Sequence, residues 1–223
     1  MRGLLVTGTD TGVGKTEVSV ALVAGWRARG LDVAAMKPAQ SGVVAGEPSD
    51  ADRLRRAAGE VDPPELVCPY SLRAPLAPAV AARLEGVEIS LERVLACAAE
   101  LSRRHAALLV EGAGGLLVPL TPRETYAALA VALGLPVLVV ARAGLGTVNH
   151  TALTCEALRT RGLAVAGVVL NRTSAGADPS EPWNAAEIER LSGVRVLADL
   201  PHEPDPVRRA ALLADRLVPA VQF

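Results

Sequence analysis

Gly8-Thr9-Asp10-Thr11-Gly12-Val13-Gly14-Lys15-Thr16 lies between an apolar run, Gly3 to Thr7, and an amphipathic stretch, Lys15 to Arg29. A strand, a glycine-rich turn and a helix in this order are what a phosphate-binding loop requires. The glycines let the backbone turn tightly, so that successive N–H groups face phosphate oxygens, and the helix start adds its positive dipole end. Lys15 can then reach the β- and γ-phosphates, and the Thr16 hydroxyl can ligate Mg²⁺. The spacing departs from the usual one: Thr9 stands where the first glycine is expected, and Gly8 precedes it. The loop implies triphosphate binding but not a reaction, because such loops serve switches, motors, kinases and ligases alike.

Working outward, further apolar runs cover Asp32 to Met36, Ala106 to Val110, Pro136 to Ala141, Val165 to Leu170 and Val194 to Ala198. Most are almost continuously apolar, the signature of strands covered on both faces. Helical stretches cover Leu91 to Arg104, Thr125 to Ala132, Val148 to Arg161 and Asn184 to Ser192. Gly30, Gly134 and Gly162 follow such stretches, where a C-cap glycine belongs. The alternation predicts an α/β fold, a single-domain (1–223), doubly wound, mostly parallel sheet with helices on both faces. Gln40 to Asp50 and the five-proline stretch Asp62 to Pro78 read as loops over that domain, and the segment from Pro206 as a final helix.

Composition narrows the partners. The 223 residues are 50% hydrophobic but only 2% aromatic, so Ala, Val and Leu must build the core. A formal charge of −1 lacks the basic excess of a chain that grips nucleic acid or an acidic membrane. Cys68, Cys97 and Cys155 form no C-x-x-C pair, which predicts free thiols and neither a disulfide framework nor a zinc site. The N-terminal apolar run is too short for a signal peptide, and Thr125 to Ala141 reads as a helix, a turn and a strand, so a cytoplasmic location is expected.

Two further strand ends carry chemistry. Lys37 closes the second apolar run, in Met36-Lys37-Pro38-Ala39-Gln40-Ser41-Gly42. Ligands of open α/β sheets bind beyond the carboxyl ends of the strands, so Lys37 would face the γ-phosphate if its strand neighbours the first. Otherwise it is a solvated surface lysine. Val110-Glu111-Gly112-Ala113-Gly114-Gly115 ends the third run, and a carboxylate at a strand tip before glycines suits a Mg²⁺ ligand or, alternatively, a simple turn. Asp50 reads either as a second carboxylate of that site or as the N-cap of a helix over 51–58. His105 and His150 read as surface and structural residues, and Trp26 and Trp183 as packing residues.

Together these stretches, with Ser49-Asp50, Asn149-His150 and Asn171, resemble the dethiobiotin synthetase family of P-loop NTPases, in which the longer glycine spacing is normal. The resemblance implies a homodimeric ATP-dependent cyclo-ligase of biotin biosynthesis. It would carboxylate 7,8-diaminopelargonate with CO₂ and close the ureido ring at the expense of ATP. Lys37, Lys15 and Thr11 would be catalytic. Nucleotide would be held by Gly12, Val13, Gly14, Lys15, Thr16 and Glu17, by Asp50, and by Glu111, Gly112, Ala113 and Gly114. Asn171 and Arg172 would read the base, flanked by Pro201, His202 and Glu203. Thr16, Asp50 and Glu111 would hold Mg²⁺. Ser41 would contact the diamine or carbamate, and Thr147, Val148 and Asn149 of the other subunit would receive the substrate carboxylate at a helix start. The chain departs from the family pattern at Gly12, where some relatives are acidic, at Arg172, where Asp is common, and from His202 to Arg209.

Two other readings compete. A regulatory ATPase switch of the partitioning or septum-site type would carry an extra lysine early in the loop, where Thr9-Asp10-Thr11 stands. An amidating enzyme of cobalamin synthesis would need a glutaminase domain that this chain is too short to hold, so a separate partner subunit would have to supply it.

Overall fold

The computed structural model describes residues 2–176 and 178–221. Eight strands and nine helices follow one another along the described chain: β1 (Gly3–Gly8), α1 (Lys15–Ala28), β2 (Val33–Met36), β3 (Ala39–Gln40), α2 (Asp50–Ala57), α3 (Pro64–Val67), β4 (Tyr70–Ser71), α4 (Pro78–Glu85), α5 (Leu91–Arg104), β5 (Ala107–Gly115), α6 (Tyr126–Leu133), β6 (Val137–Arg142), α7 (Thr147–Arg159), β7 (Val165–Asn171), α8 (Glu181–Ser192), β8 (Val196–Leu200) and α9 (Pro206–Leu217).

Six strands form one sheet in the order β2-β5-β1-β6-β7-β8, every neighbouring pair parallel. β3 and β4 form a separate two-stranded ribbon. Strand side chains alternate between faces, and here both faces are covered. Leu4, Val6, Leu109, Leu138 and Val140 pack with Val18, Leu22 and Trp26 of α1 and Leu213 and Leu217 of α9. Leu5, Leu108, Val110, Val137 and Val139 pack on the opposite side with Val94 and Leu101 of α5, Leu129 of α6 and Leu158 of α7. Burial on both faces explains why the strand runs lack polar alternation.

Several boundaries differ from the expectation. β5 continues through the glycines to Gly115, which pairs with Gly8, so the third strand runs past the loop's base. β8 is displaced toward the C-terminus and includes Asp199, whose charge hides the strand from an apolar count. The proline-rich stretch is not plain loop. It holds α3 and β4 and opens α4, whose first residue is Pro78, a position where the missing N–H costs no helical bond. Asp50 is not an N-cap. Ser49 caps α2, its hydroxyl accepting from the Asp52 N–H while Asp52 accepts from the Ser49 N–H, and the Asp50 side chain is left free for other work.

β1 and β2 are not neighbours either, because β5 lies between them. Lys37 therefore approaches the loop across β5, at the level of Glu111 midway along that strand. Trp26 is a packing residue, but Trp183 on α8 is exposed. His105 is not a free surface residue: its ring nitrogens lie 2.7 Å from Asp32 Oδ1 and 2.9 Å from Asp62 Oδ2.

Candidate active site

The C-terminal tips of β1, β5 and β2 converge on one spot because the sheet is parallel. β1 delivers the phosphate loop. Gly12 and Gly14 both have positive φ, 73° and 92°, and Gly14 is the N-cap of α1 without any side-chain cap. The first N–H groups of the helix are thus left for a ligand. Lys15 folds back over the loop and donates to the Asp10 carbonyl at 3.0 Å. Burial, then the nearby Lys37 charge, lowers its pKa to about 8.

The Lys37 ammonium sits 2.5 Å from Glu111 Oε1 and 3.0 Å from Asp50 Oδ2. Thr16 donates to the same Glu111 oxygen at 2.8 Å. Burial alone would lower the Lys37 pKa, but the Glu111 and Asp50 charges outweigh it and hold the group above its ordinary range. Likewise burial would raise Asp50, and the adjacent Lys37 holds it below the usual carboxylate range. A buried cation of this kind persists only when paired. Glu111 Oε2 is buried and has no hydrogen-bond partner. Thr16, Asp50 and Glu111 therefore gather oxygen donors at one point, one of them unused.

Gln40 explains how Asp50 is held there. Its Oε1 accepts from the Ala51 N–H at 3.0 Å, and its Nε2 donates to the Ser49 and Ser71 hydroxyls, each at 3.1 Å. One buried amide thus ties the start of α2 to the β3–β4 ribbon.

A cavity of about 820 Å³ opens over these groups. Among the expected site residues it is lined by Thr11, Gly12, Gly14, Lys15, Thr16, Glu17, Lys37, Ser41, Asp50, Ala113 and Gly114. Gln40, Arg53 and Arg209 line it too and were missed by the sequence reading. Gln40 stood in the quoted turn, but nothing in the sequence brings α9 to the loop. A second cavity of about 360 Å³ adjoins the loop's other side and takes in Val13, Asn171 and Arg172. Asn171 donates to the Val13 carbonyl at 2.9 Å, and Arg172 pairs with Glu181 at 2.7 Å.

Glu111 lies behind Lys37 and lines neither cavity, and Gly112 packs beside Tyr126, which a Cβ would meet at 3.4 Å. Pro201, His202 and Glu203 follow β8 and also line neither, the Nδ1 of His202 being buried without a partner. Thr147, Val148 and Asn149 open α7 and line neither cavity. The cysteines are free thiols, and burial pushes Cys68 up to about 12. Among the described residues no helix is long and apolar enough to cross a membrane.

Comparison with known proteins agrees with this arrangement. A family profile described as an AAA domain matches residues 2–210. The ATP-dependent dethiobiotin synthetase BioD of Anaeromyxobacter dehalogenans (strain 2CP-C) is 68% identical over the full length of both chains. That of Bacillus subtilis (strain 168) is 41% identical over 202 residues, 90% of this chain and 87% of the relative. Among solved structures, a ParA family ATPase from Chlorobium tepidum TLS has a TM-score of 0.60 at 15% identity, covering 98% of this chain and 97% of that one. The MinC:MinD cell division complex of Aquifex aeolicus gives 0.62 at 14% identity, covering 99% of this chain and 94% of that one. At such identities these two share the fold alone. The phosphate loop, the Lys37–Glu111–Asp50 cluster and the full-length relatives agree: the chain belongs to the dethiobiotin synthetase family.

Proposed function

We propose that the chain carboxylates 7,8-diaminopelargonate with CO₂ and closes the ureido ring, giving dethiobiotin, ADP and phosphate. The observation that carries this reading is Lys37, a buried cation held between Glu111 and Asp50 at the floor of the cavity beside Lys15. One amine adds to CO₂ and loses a proton, leaving a carbamate. A carbamate oxygen attacks the γ-phosphorus as the bond to ADP breaks. The second amine then attacks the carbonyl carbon and expels phosphate.

The carbamate and the triphosphate repel each other, so the reaction needs cations fixed in place before the two meet. Lys15 and Lys37 supply them, with Lys37 beside the transferred phosphoryl group. Thr11 and the loop backbone hold the phosphates, and Ser41 contacts the carbamate or diamine. Thr16, Asp50 and Glu111 suit a magnesium ion, since all three offer hard oxygen donors and Glu111 Oε2 accepts no hydrogen bond. When bound, that ion would offset phosphate charge.

Asn171 is proposed to read the base with Arg172 and the 201–203 loop. A second copy of the chain would bring the start of α7 to the substrate carboxylate, which the uncapped Gly146–Thr147 helix start supports. We place the enzyme in the cytoplasm. The test is one reaction containing 7,8-diaminopelargonate, bicarbonate and MgATP, followed by mass spectrometry. Dethiobiotin that appears with ADP and vanishes without the diamine supports the reading. ATP hydrolysis without dethiobiotin overturns it.

A further inference from the structure

Four cations line the large cavity: Lys15, Lys37, Arg53 and Arg209. Two are already paired with carboxylates. Lys37 is held by Glu111 and Asp50, and Arg53 Nη2 lies 2.7 Å from Glu17. Among the described residues, the Lys15 ammonium makes one hydrogen bond, to the Asp10 carbonyl oxygen. Arg209 has no side-chain hydrogen bond or ion pair among the described residues. Its guanidinium is close to the loop: a Cβ placed on Gly14 would stand 3.9 Å from Nη2.

This placement is built into the packing. Arg209, Leu213 and Leu217 recur at i, i+4 and i+8 and so share a face of α9. Leu213 and Leu217 are buried against the α1 side of the sheet. Farther along, Val218 lies so close to Gly25 of α1 that a Cβ there would meet it at 2.4 Å. α9 thus runs alongside α1 in the same direction, its first turn level with the phosphate loop and its end level with Gly25. The side chain that this face presents beside the loop at Gly14 is the Arg209 guanidinium, whose forked donors match phosphate oxygens.

We infer that Arg209 is a ligand of the nucleotide phosphate chain, supplied by the C-terminal helix. The inference rests on the reading of the large cavity as the nucleotide-phosphate site and adds to it a residue outside the loop. It gives α9 a function besides covering the sheet, because docking of this helix completes the positive charge that a triphosphate needs.

Calorimetric titration of the full chain with ADP and magnesium chloride tests it, comparing the native protein with Arg209→Gln, Arg209→Lys and Arg208→Gln. Arg208 is the exposed neighbour that does not line the cavity. Arg209→Gln is expected to weaken ADP binding about tenfold, the loss of one charge-assisted contact. Arg209→Lys keeps part of the affinity, and Arg208→Gln stays near native. Melting without nucleotide establishes that each variant is folded. Native-like ADP affinity in Arg209→Gln, or an equal loss in Arg208→Gln, overturns the inference while leaving the phosphate site intact. A native protein that binds no ADP overturns the phosphate site itself.

Discussion

The Lys37 ammonium lies 2.5 Å from the Glu111 carboxylate, and both side chains are almost wholly shut off from water. The Glu111 charge is offset there by Lys37, and the Lys37 charge by Glu111 together with Asp50. Because the two carboxylates hold Lys37 above its ordinary pKa range, it stays cationic and serves by its charge rather than as a proton acceptor.

Lys37→Ala should therefore do two separable things. Turnover should fall by about a hundredfold or more, the scale of losing one fixed transition-state partner. Stability should also fall, by about 3–5 kcal/mol, because Glu111 is left buried and uncompensated. ADP affinity should change little, since the loop is untouched. Turnover assays, urea unfolding and ADP titration read the three effects. Near-normal turnover would remove Lys37 from the chemistry.

Glu111→Gln tests the metal reading. The substitution keeps the shape and removes one charge from the oxygen donors around Thr16. The magnesium concentration for half-maximal turnover should rise by about tenfold or more. An unchanged magnesium requirement would place the ion elsewhere.

Lys15 predicts a pH dependence with a definite sign. Its pKa in the folded chain is about 8, against an ordinary 10.5. Between these values the unfolded chain holds more protons at this lysine than the folded one, so its effect on stability becomes more favourable to folding as pH rises through that window. Nucleotide binding needs the charged form and should move oppositely, with ADP affinity level below pH 8 and falling above it. An ADP affinity that stays level well above pH 8 would show that nucleotide binding does not follow the loss of the Lys15 proton in this range.

The sequence made the site's axis legible because three of its parts each follow an apolar run. Gly8, Lys37 and Glu111 close successive apolar runs, and a parallel sheet must bring those ends to one edge. It did not give the strand order, since β2 and β1 look alike as apolar runs whether or not β5 lies between them. Gln40 was visible but without a role, because its partners Ser49, Ala51 and Ser71 come together only through the β3–β4 ribbon. Arg209 was hidden for a similar reason: its place depends on how α9 lies on α1, which helical periodicity does not state. Asp50 was legible as a carboxylate near a helix start, but Ser49 and Asp52 together, not Asp50, make the cap.

The loop glycines differ from each other in a measurable way. Gly12 and Gly14 both have positive φ, so an alanine at either should cost about 1 kcal/mol or somewhat more in backbone strain. At Gly12 a Cβ meets nothing within 4 Å, and the cost should end there. At Gly14 it would stand 2.0 Å from Asn171 Nδ2, the atom that donates to the Val13 carbonyl. Gly14→Ala must push that buried amide aside and break its bond, adding about 1–3 kcal/mol. Asn171→Ala removes the obstruction and the donor together. The double variant Gly14→Ala/Asn171→Ala should thus be less destabilised than the two single variants summed, by an amount near the steric part of the Gly14 cost. Urea unfolding of the three variants measures this coupling. Strict additivity would mean that the Gly14 backbone and the Asn171 amide are not in contact, and would detach Asn171 from the loop.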